Sequence, residues 1–204
     1  MRNRNTYLEF QDQLKDFDIL NIRLVEAYFP NFDSKRLNEW QKKGYIHKLI
    51  KGWYAFAKIE VTEMVMFRWS NQMRKPSYIS LESAFSYYSF IPEQSFEIKA
   101  VTTLKTISYA ILDKSFTYNT LAQKLFFGYH VITYNLKPIK IADFEKAILD
   151  YLYLKTDIKD LADFESLRWN KMATIDWALF DKYLAVFDNQ ELNKRVVIFK
   201  KYMR

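Results

Sequence analysis

Few side chains in this sequence are of the types that do covalent or metal chemistry, and their spacing limits what each could do. Glu97 and Lys99 flank one residue in a run with strand-like alternation, so they share a face. A carboxylate and an ammonium so placed can hold Mg²⁺ and position a water, as in nucleases of the restriction-endonuclease type, if a second acid lies close by. Glu82 and Glu93 are the upstream candidates; otherwise the pair is an ordinary ion pair on an exposed strand face. Asp143-x-Glu145 and Asp163-x-Glu165 fall in helical patterns, with no Gly-Ser before them of the kind polymerase-β-like transferases carry. The 204 residues include no Cys and two His, His47 and His130. Disulfides and thiolate metal sites are excluded, and a zinc site would need several carboxylates. A glycine-rich phosphate loop, a nucleophile elbow and a His-Glu-x-x-His are all missing. The expectation is a protein that is not an enzyme and that uses no cofactor and no metal.

Charge points elsewhere. The net charge is +7. Residues 1–75 hold 14 Lys and Arg against 9 Asp and Glu, whereas residues 76–204 hold 17 against 15. Between Lys35 and Lys58 seven bases meet one acid, Glu39. A local positive patch is the footprint of polyanion binding, although charge alone would equally describe a solvated basic face.

The elements under that patch sharpen the reading. The run NFDSKRLNEWQKKGYIHKLIKGWYAFA (Asn31 to Ala57) opens with a short basic helix that Asp33 or Ser34 can cap. Leu37 and Trp40 face inward together, and Gly44 ends the helix. Such a helix of about 10 residues spans roughly 15 Å, enough to cross a major groove. Tyr45–Ile50 and Trp53–Ala57 then read as two strands joined by a two-residue turn at Lys51-Gly52. Upstream, Thr6 can cap a helix to about Asp16, and Asp18 a second from Ile19 to Phe29, stopped by Pro30. That order outlines a winged helix-turn-helix. Ser34, Lys35, Arg36 and Asn38, at the start of the recognition helix, could reach base edges. Lys42, Lys43, Lys48 and Lys51, at its end and on the wing, are placed to neutralise phosphate. The expected partner is double-stranded DNA. A winged helix that only docks protein is the alternative.

With 50% hydrophobic and 18% aromatic residues the chain has material for a substantial core. Three divisions are expected: a DNA-binding domain over 1–58, a connecting helix within 59–75, and an α+β domain over 76–204. Lys75-Pro76 breaks the connecting helix. Ser80 can cap a helix from Leu81 to about Ser89. Strands are expected over 96–103, 107–112, 116–121, 125–132 and 138–141, forming a mostly antiparallel sheet. Helices from Asp143, Asp160, Asp176 and Asn189 make a helical C-terminal tail. MRNRNTYLEF carries no apolar leader, and no run approaches the ~18 apolar residues of a membrane span. No membrane association and a cytoplasmic location are expected.

Four segments together resemble one family: KPSYISLESAFSYYSFIPE (Lys75–Glu93), EIKAVTT (Glu97–Thr103), FFGY (Phe126–Tyr129) and IADFEKAILDYLYL (Ile141–Leu154), downstream of WQKKGYIHKLIKGWYAF (Trp40–Phe56). Their order over roughly residues 5–155 is similar to that of AbiEi-type antitoxins, regulators of viral-defence systems. The resemblance implies a winged-helix domain followed by an antitoxin domain. It also implies a type IV toxin–antitoxin function, repression of the protein's own promoter, and a nucleotidyltransferase-like toxin as partner. The sequence departs from the family at Tyr88-Ser89-Phe90, where Tyr-Gly-Leu is common, and at Ala142-Asp143-Phe144, where proline is common. Beyond about Lys155 it carries no family motif. A winged-helix regulator without a toxin is the remaining alternative.

Overall fold

A computed structural model of the chain describes residues 6–92 and 97–204. The N-terminal part packs three helices on a small sheet. α1 (Tyr7–Leu14) opens with a reciprocal cap, in which the Thr6 hydroxyl accepts from the Glu9 amide at 3.3 Å and the Glu9 carboxylate from the Thr6 amide at 2.7 Å. β1 (Leu20–Asn21) precedes α2 (Ile22–Tyr28) and α3 (Lys35–Lys42), and the hairpin β2 (Ile46–Ile50) and β3 (Trp53–Phe56) follows. β3 lies between β1 and β2, antiparallel to both. Phe10, Leu14, Leu20, Val25, Leu37, Trp40, Ile46 and Phe56 bury one another beneath α1–α3.

The structure corrects the expected start of the second helix at Asp18 and Ile19. Leu20–Asn21 is a strand, and Asn21 is the cap, its side chain accepting from the Leu24 amide at 2.8 Å. Asp18 is drawn away from capping because its buried carboxylate takes Arg68 Nε and, at 2.8 Å, Lys137 Nζ.

The rest of the chain forms α4 (Glu63–Met73), β4 (Ser77–Ile79), α5 (Leu81–Tyr87), β5 (Glu97–Thr102), β6 (Ile107–Ile111), β7 (Lys114–Thr120), β8 (Tyr129–Tyr134), β9 (Lys137–Ala142), α6 (Phe144–Leu154), α7 (Leu161–Ser166), α8 (Trp177–Phe187) and α9 (Gln190–Tyr202). The chain is therefore α+β with a helical tail. Its six-stranded sheet has the order β6-β7-β5-β4-β9-β8. Pairings β4–β5, β6–β7 and β8–β9 are antiparallel, while β5–β7 and β4–β9 are parallel, so the sheet is mixed. Glu93, the alternative acid, and Phe96, the expected strand start, lie outside the described residues. β4 was not expected from the sequence. The strand expected over 125–132 starts only at Tyr129, because Gln123–Leu125 is a 3₁₀ turn and Gly128 has φ 67°.

Opposite faces of the sheet hold different helices. Tyr118 donates to the Ser70 carbonyl of α4 on one face. On the other, Lys99 meets Glu82 of α5, and Tyr78 donates to Asp150 of α6 at 2.9 Å. α4 is buried on every side over Val65–Ser70, because the N-terminal part covers the surface the sheet leaves. Ile19, Leu49 and Ala55 belong to the large core around α4. Ser80 precedes α5 but makes no side-chain cap; its hydroxyl donates instead to Asp150 at 2.8 Å.

Candidate nucleic-acid interface

The amphipathic pattern of α3 decides its orientation. At about 3.6 residues per turn, Lys35, Asn38, Glu39 and Lys42 form a crest opposite buried Leu37 and Trp40, and Arg36 and Lys43 share one flank. Asp33 supports the helix start by accepting from the Lys35 amide at 3.1 Å, whereas Ser34 makes no side-chain cap bond. The helix ends as the sequence predicts. Gly44, with φ 70°, takes the left-handed turn that a side chain disfavours, and its amide reaches the Gln41 carbonyl at 3.0 Å. Tyr45 then donates to the Trp40 carbonyl at 2.9 Å, which leads the chain directly into β2.

The hairpin turns at Lys51-Gly52, with Ile50 paired to Trp53 and an irregularity between Lys48 and Ile50. Trp53 and Tyr54 face inward, and His47, Lys48 and Lys51 face solvent. Of the eight residues expected to meet nucleic acid, Ser34, Lys35, Asn38, Lys42, Lys43, Lys48 and Lys51 are exposed, and Arg36 is half-buried. Asn38, Gln41 and Lys42 line a shallow depression of about 380 Å³ on the α3 crest.

Some lysines of the chain are held in ion pairs and others are not. Lys99, Lys137, Lys146 and Lys200 each engage a carboxylate. Among the described residues, none of the ion pairs involves Lys35, Lys42, Lys43, Lys48 or Lys51. Their charge is available to a partner.

The alternative chemistry is also visible. Glu82 does reach Lys99, Oε1 to Nζ at 2.6 Å, with Glu97 Oε2 at 3.4 Å. Burial works against the Lys99 charge, and the two carboxylates more than offset it, holding its ammonium above the usual lysine range. Glu97 is further occupied by the Thr117 hydroxyl across the β5–β7 ladder. The cluster is an ionic knot between a helix and a parallel strand pair, in which Glu82 Oε2 is buried without a hydrogen-bond partner. Among the described residues, no group of three or more His, Cys, Asp or Glu could hold a metal ion. His130, on β8, is exposed, with Nδ1 2.7 Å from Asp143 Oδ1.

Two features had no signal in the sequence. Lys146 and Asp150, one helical turn apart on α6, form a fully buried ion pair completed by the Tyr78 and Ser80 hydroxyls. Asp18, Arg68 and Lys137 form a second knot beside a cleft of about 270 Å³ between the N-terminal part and the sheet. The spacing of Lys146 and Asp150 matches any exposed helical pair, and the second knot joins residues 50 or more apart.

No family model matches this chain, and no curated protein matches it. No helix among the described residues is long and apolar enough to cross a membrane.

Proposed function

We propose that this protein is a winged-helix DNA-binding regulator that represses its own promoter as the antitoxin of a type IV system. The observation that carries the DNA reading is the row of exposed, carboxylate-free cations on the α3 crest and the β2–β3 turn. Two more features support it. The order α1-β1-α2-α3-β2-β3, with β3 between β1 and β2, supports a winged helix-turn-helix reading, in which the unforeseen β1 serves as the third strand. The hairpin follows α3 immediately, so one duplex can meet both.

In this reading Lys35 and Asn38 meet base edges, with Ser34 and Arg36 beside them. Asn38 suits adenine, and Glu39 can accept from a cytosine amino group. Lys42, Lys43, Lys48 and Lys51 neutralise phosphates. The antitoxin part rests on the resemblance of Trp40–Phe56, Lys75–Glu93, Glu97–Thr103, Phe126–Tyr129 and Ile141–Leu154 to AbiEi-type proteins, and residues 76–204 carry the neutralising activity.

Fluorescence anisotropy tests the first part, with a duplex from upstream of the gene and a random duplex of equal length at physiological salt. Tighter binding of the upstream duplex is expected. Equal affinity would leave the winged helix as a protein-docking module. The second part is tested by inducing the neighbouring gene's product with and without this protein. Restored growth of an otherwise dying culture is expected, and a harmless neighbour would reduce the function to regulation alone.

A further inference from the structure

β8 is the sheet's open edge. Among the described residues it pairs only with β9, whereas β6 at the opposite edge lies beside β2 of the N-terminal part. Proteins blunt such edges with charged residues, proline, bulges or very short strands. β8 has none of these. It runs Tyr129-His130-Val131-Ile132-Thr133-Tyr134, without Lys, Arg, Asp, Glu or Pro, and its register with β9 is regular at all six positions. Val131 is 56% exposed, and Leu136 at the adjoining turn is 96% exposed.

The hydrogen-bonding polarity of this edge follows from its neighbours. Val131 lies opposite Lys140, whose amide donates to Asn71 Oδ1 at 2.7 Å and so points away from β8. Thr133 lies opposite Pro138, which has no amide hydrogen to give. Asn135 and Leu136, both with positive φ, make a two-residue turn that places the hydrogen-bonded pair at Tyr134 and Lys137. All three facts agree. Tyr129, Val131 and Thr133 direct their N–H and C=O groups outward, because antiparallel pairs alternate.

We infer that β8 is a self-association edge, on which a second copy of this chain pairs antiparallel about a two-fold axis through Val131. Only outward residues can exchange both hydrogen bonds, so Val131 meets Val131 of the second copy and Tyr129 meets Thr133. About six hydrogen bonds then join the two sheets. The occupant is a second copy because β8 is uncharged on a chain of net charge +7. Association through the cationic α3 surface would oppose like charges, whereas β8 against β8 opposes none. The contact is isologous and closes at two chains.

This pairing has a consequence for the proposed DNA reading, on which the next step rests. Lys137, at the start of β9, donates to the Asp16 carbonyl at 2.6 Å and to Asp18 at 2.8 Å. The hairpin that dimerises therefore also grips the N-terminal part, so the two-fold sets two α3 helices in inverted orientation.

Sedimentation velocity across a wide concentration range tests the dimer on protein alone. Far-UV circular dichroism confirms the fold of Val131→Lys and Thr133→Lys. The wild type is expected to sediment as a dimer and both variants as monomers. In hydrogen exchange, the Val131 and Thr133 amides should be protected in the wild type and lose that protection in Tyr129→Lys, which keeps both amides. A wild type that stays monomeric, variants that stay dimeric, or wild-type β8 amides that exchange freely would each overturn the proposal. Binding to a single half-site duplex separates the two readings. A dimer without DNA affinity refutes the DNA reading alone, and a monomer that binds the half-site refutes the edge alone.

Discussion

Lys42 and Lys43 stand at the end of α3 with no carboxylate to hold them, and that isolation makes their contribution measurable. If each neutralises one phosphate, Lys42→Ala with Lys43→Ala reduces the slope of log affinity against log salt by about two, since each contact contributes roughly 0.9. The loss falls equally on the upstream duplex and on random duplex. Asn38→Ala behaves oppositely, lowering discrimination between the two duplexes and leaving the slope unchanged. Anisotropy titrations over a salt series check both. Lys146 and Asp150 provide a contrasting residue-scale case. Burial holds the Asp150 carboxyl above its usual range and the Lys146 ammonium below its own, so the cost of burial outweighs the pair's mutual attraction. Lys146→Met alone strands a buried carboxylate and should cost about 3–5 kcal/mol in urea unfolding. Lys146→Met with Asp150→Leu should recover most of that, because paired apolar groups need no partner. A double variant as unstable as the single one would mean that the attraction between the two charges exceeds the cost of burying them. The free cations were legible as a run of basic residues, but which of the chain's lysines lack a carboxylate depends on tertiary neighbours that spacing does not encode.

At the scale of elements, α3 and the β2–β3 hairpin were legible because local chemistry specifies them. Leu37 and Trp40 set one face, Gly44 stops the helix, and Lys51-Gly52 permits the turn. β4 was illegible because Ser77–Ile79 is buried throughout and shows no alternation. β1 has only two residues, and its pairing with β3 bridges more than thirty positions. The parallel pairs β5–β7 and β4–β9 arise from crossovers that leave no turn signature. Phe126-Phe127 reads as strand by composition, yet Gly128 interrupts it. A Cβ there would meet Lys146 Cγ at 3.0 Å and Tyr183 Cε2 at 3.1 Å, and the residue keeps φ 67°. Both space and backbone therefore require glycine just before β8. Gly128→Ala should destabilise by more than about 1 kcal/mol in urea unfolding. A cost near zero would mean that Tyr183 yields and the turn tolerates a side chain.

For the whole molecule, the issue is whether the N-terminal part and the sheet behave as one body. Their composition suggests two domains, since basic surplus and hairpin end near Lys58. Their packing joins them, since α4 is buried between the two parts and Ile19, Leu49 and Ala55 enter the larger core. Even so, the N-terminal part keeps a smaller core of its own around Phe10, Leu37 and Trp40. What holds the parts in register is therefore the polar knot as well as the shared apolar surface. Asp18 accepts from both Arg68 of α4 and Lys137 of β9, and Arg68 is 2% exposed, so its charge has little access to water. Asp18→Asn removes the negative charge and leaves the buried guanidinium with the Tyr134 carbonyl but no opposite charge, a change that should cost about 3–5 kcal/mol where the pair is enclosed. That cost falls on the junction and spares both cores. Hydrogen exchange should consequently accelerate in β1, in the β2–β3 hairpin and at the start of α4, while β5 and β7 keep their protection. Uniform acceleration across the whole chain would instead mean that the two parts unfold together. Any freedom gained at the junction would also loosen the fixed placement of α3 relative to β8, so Asp18→Asn should weaken binding to a paired inverted repeat more than to a single half-site.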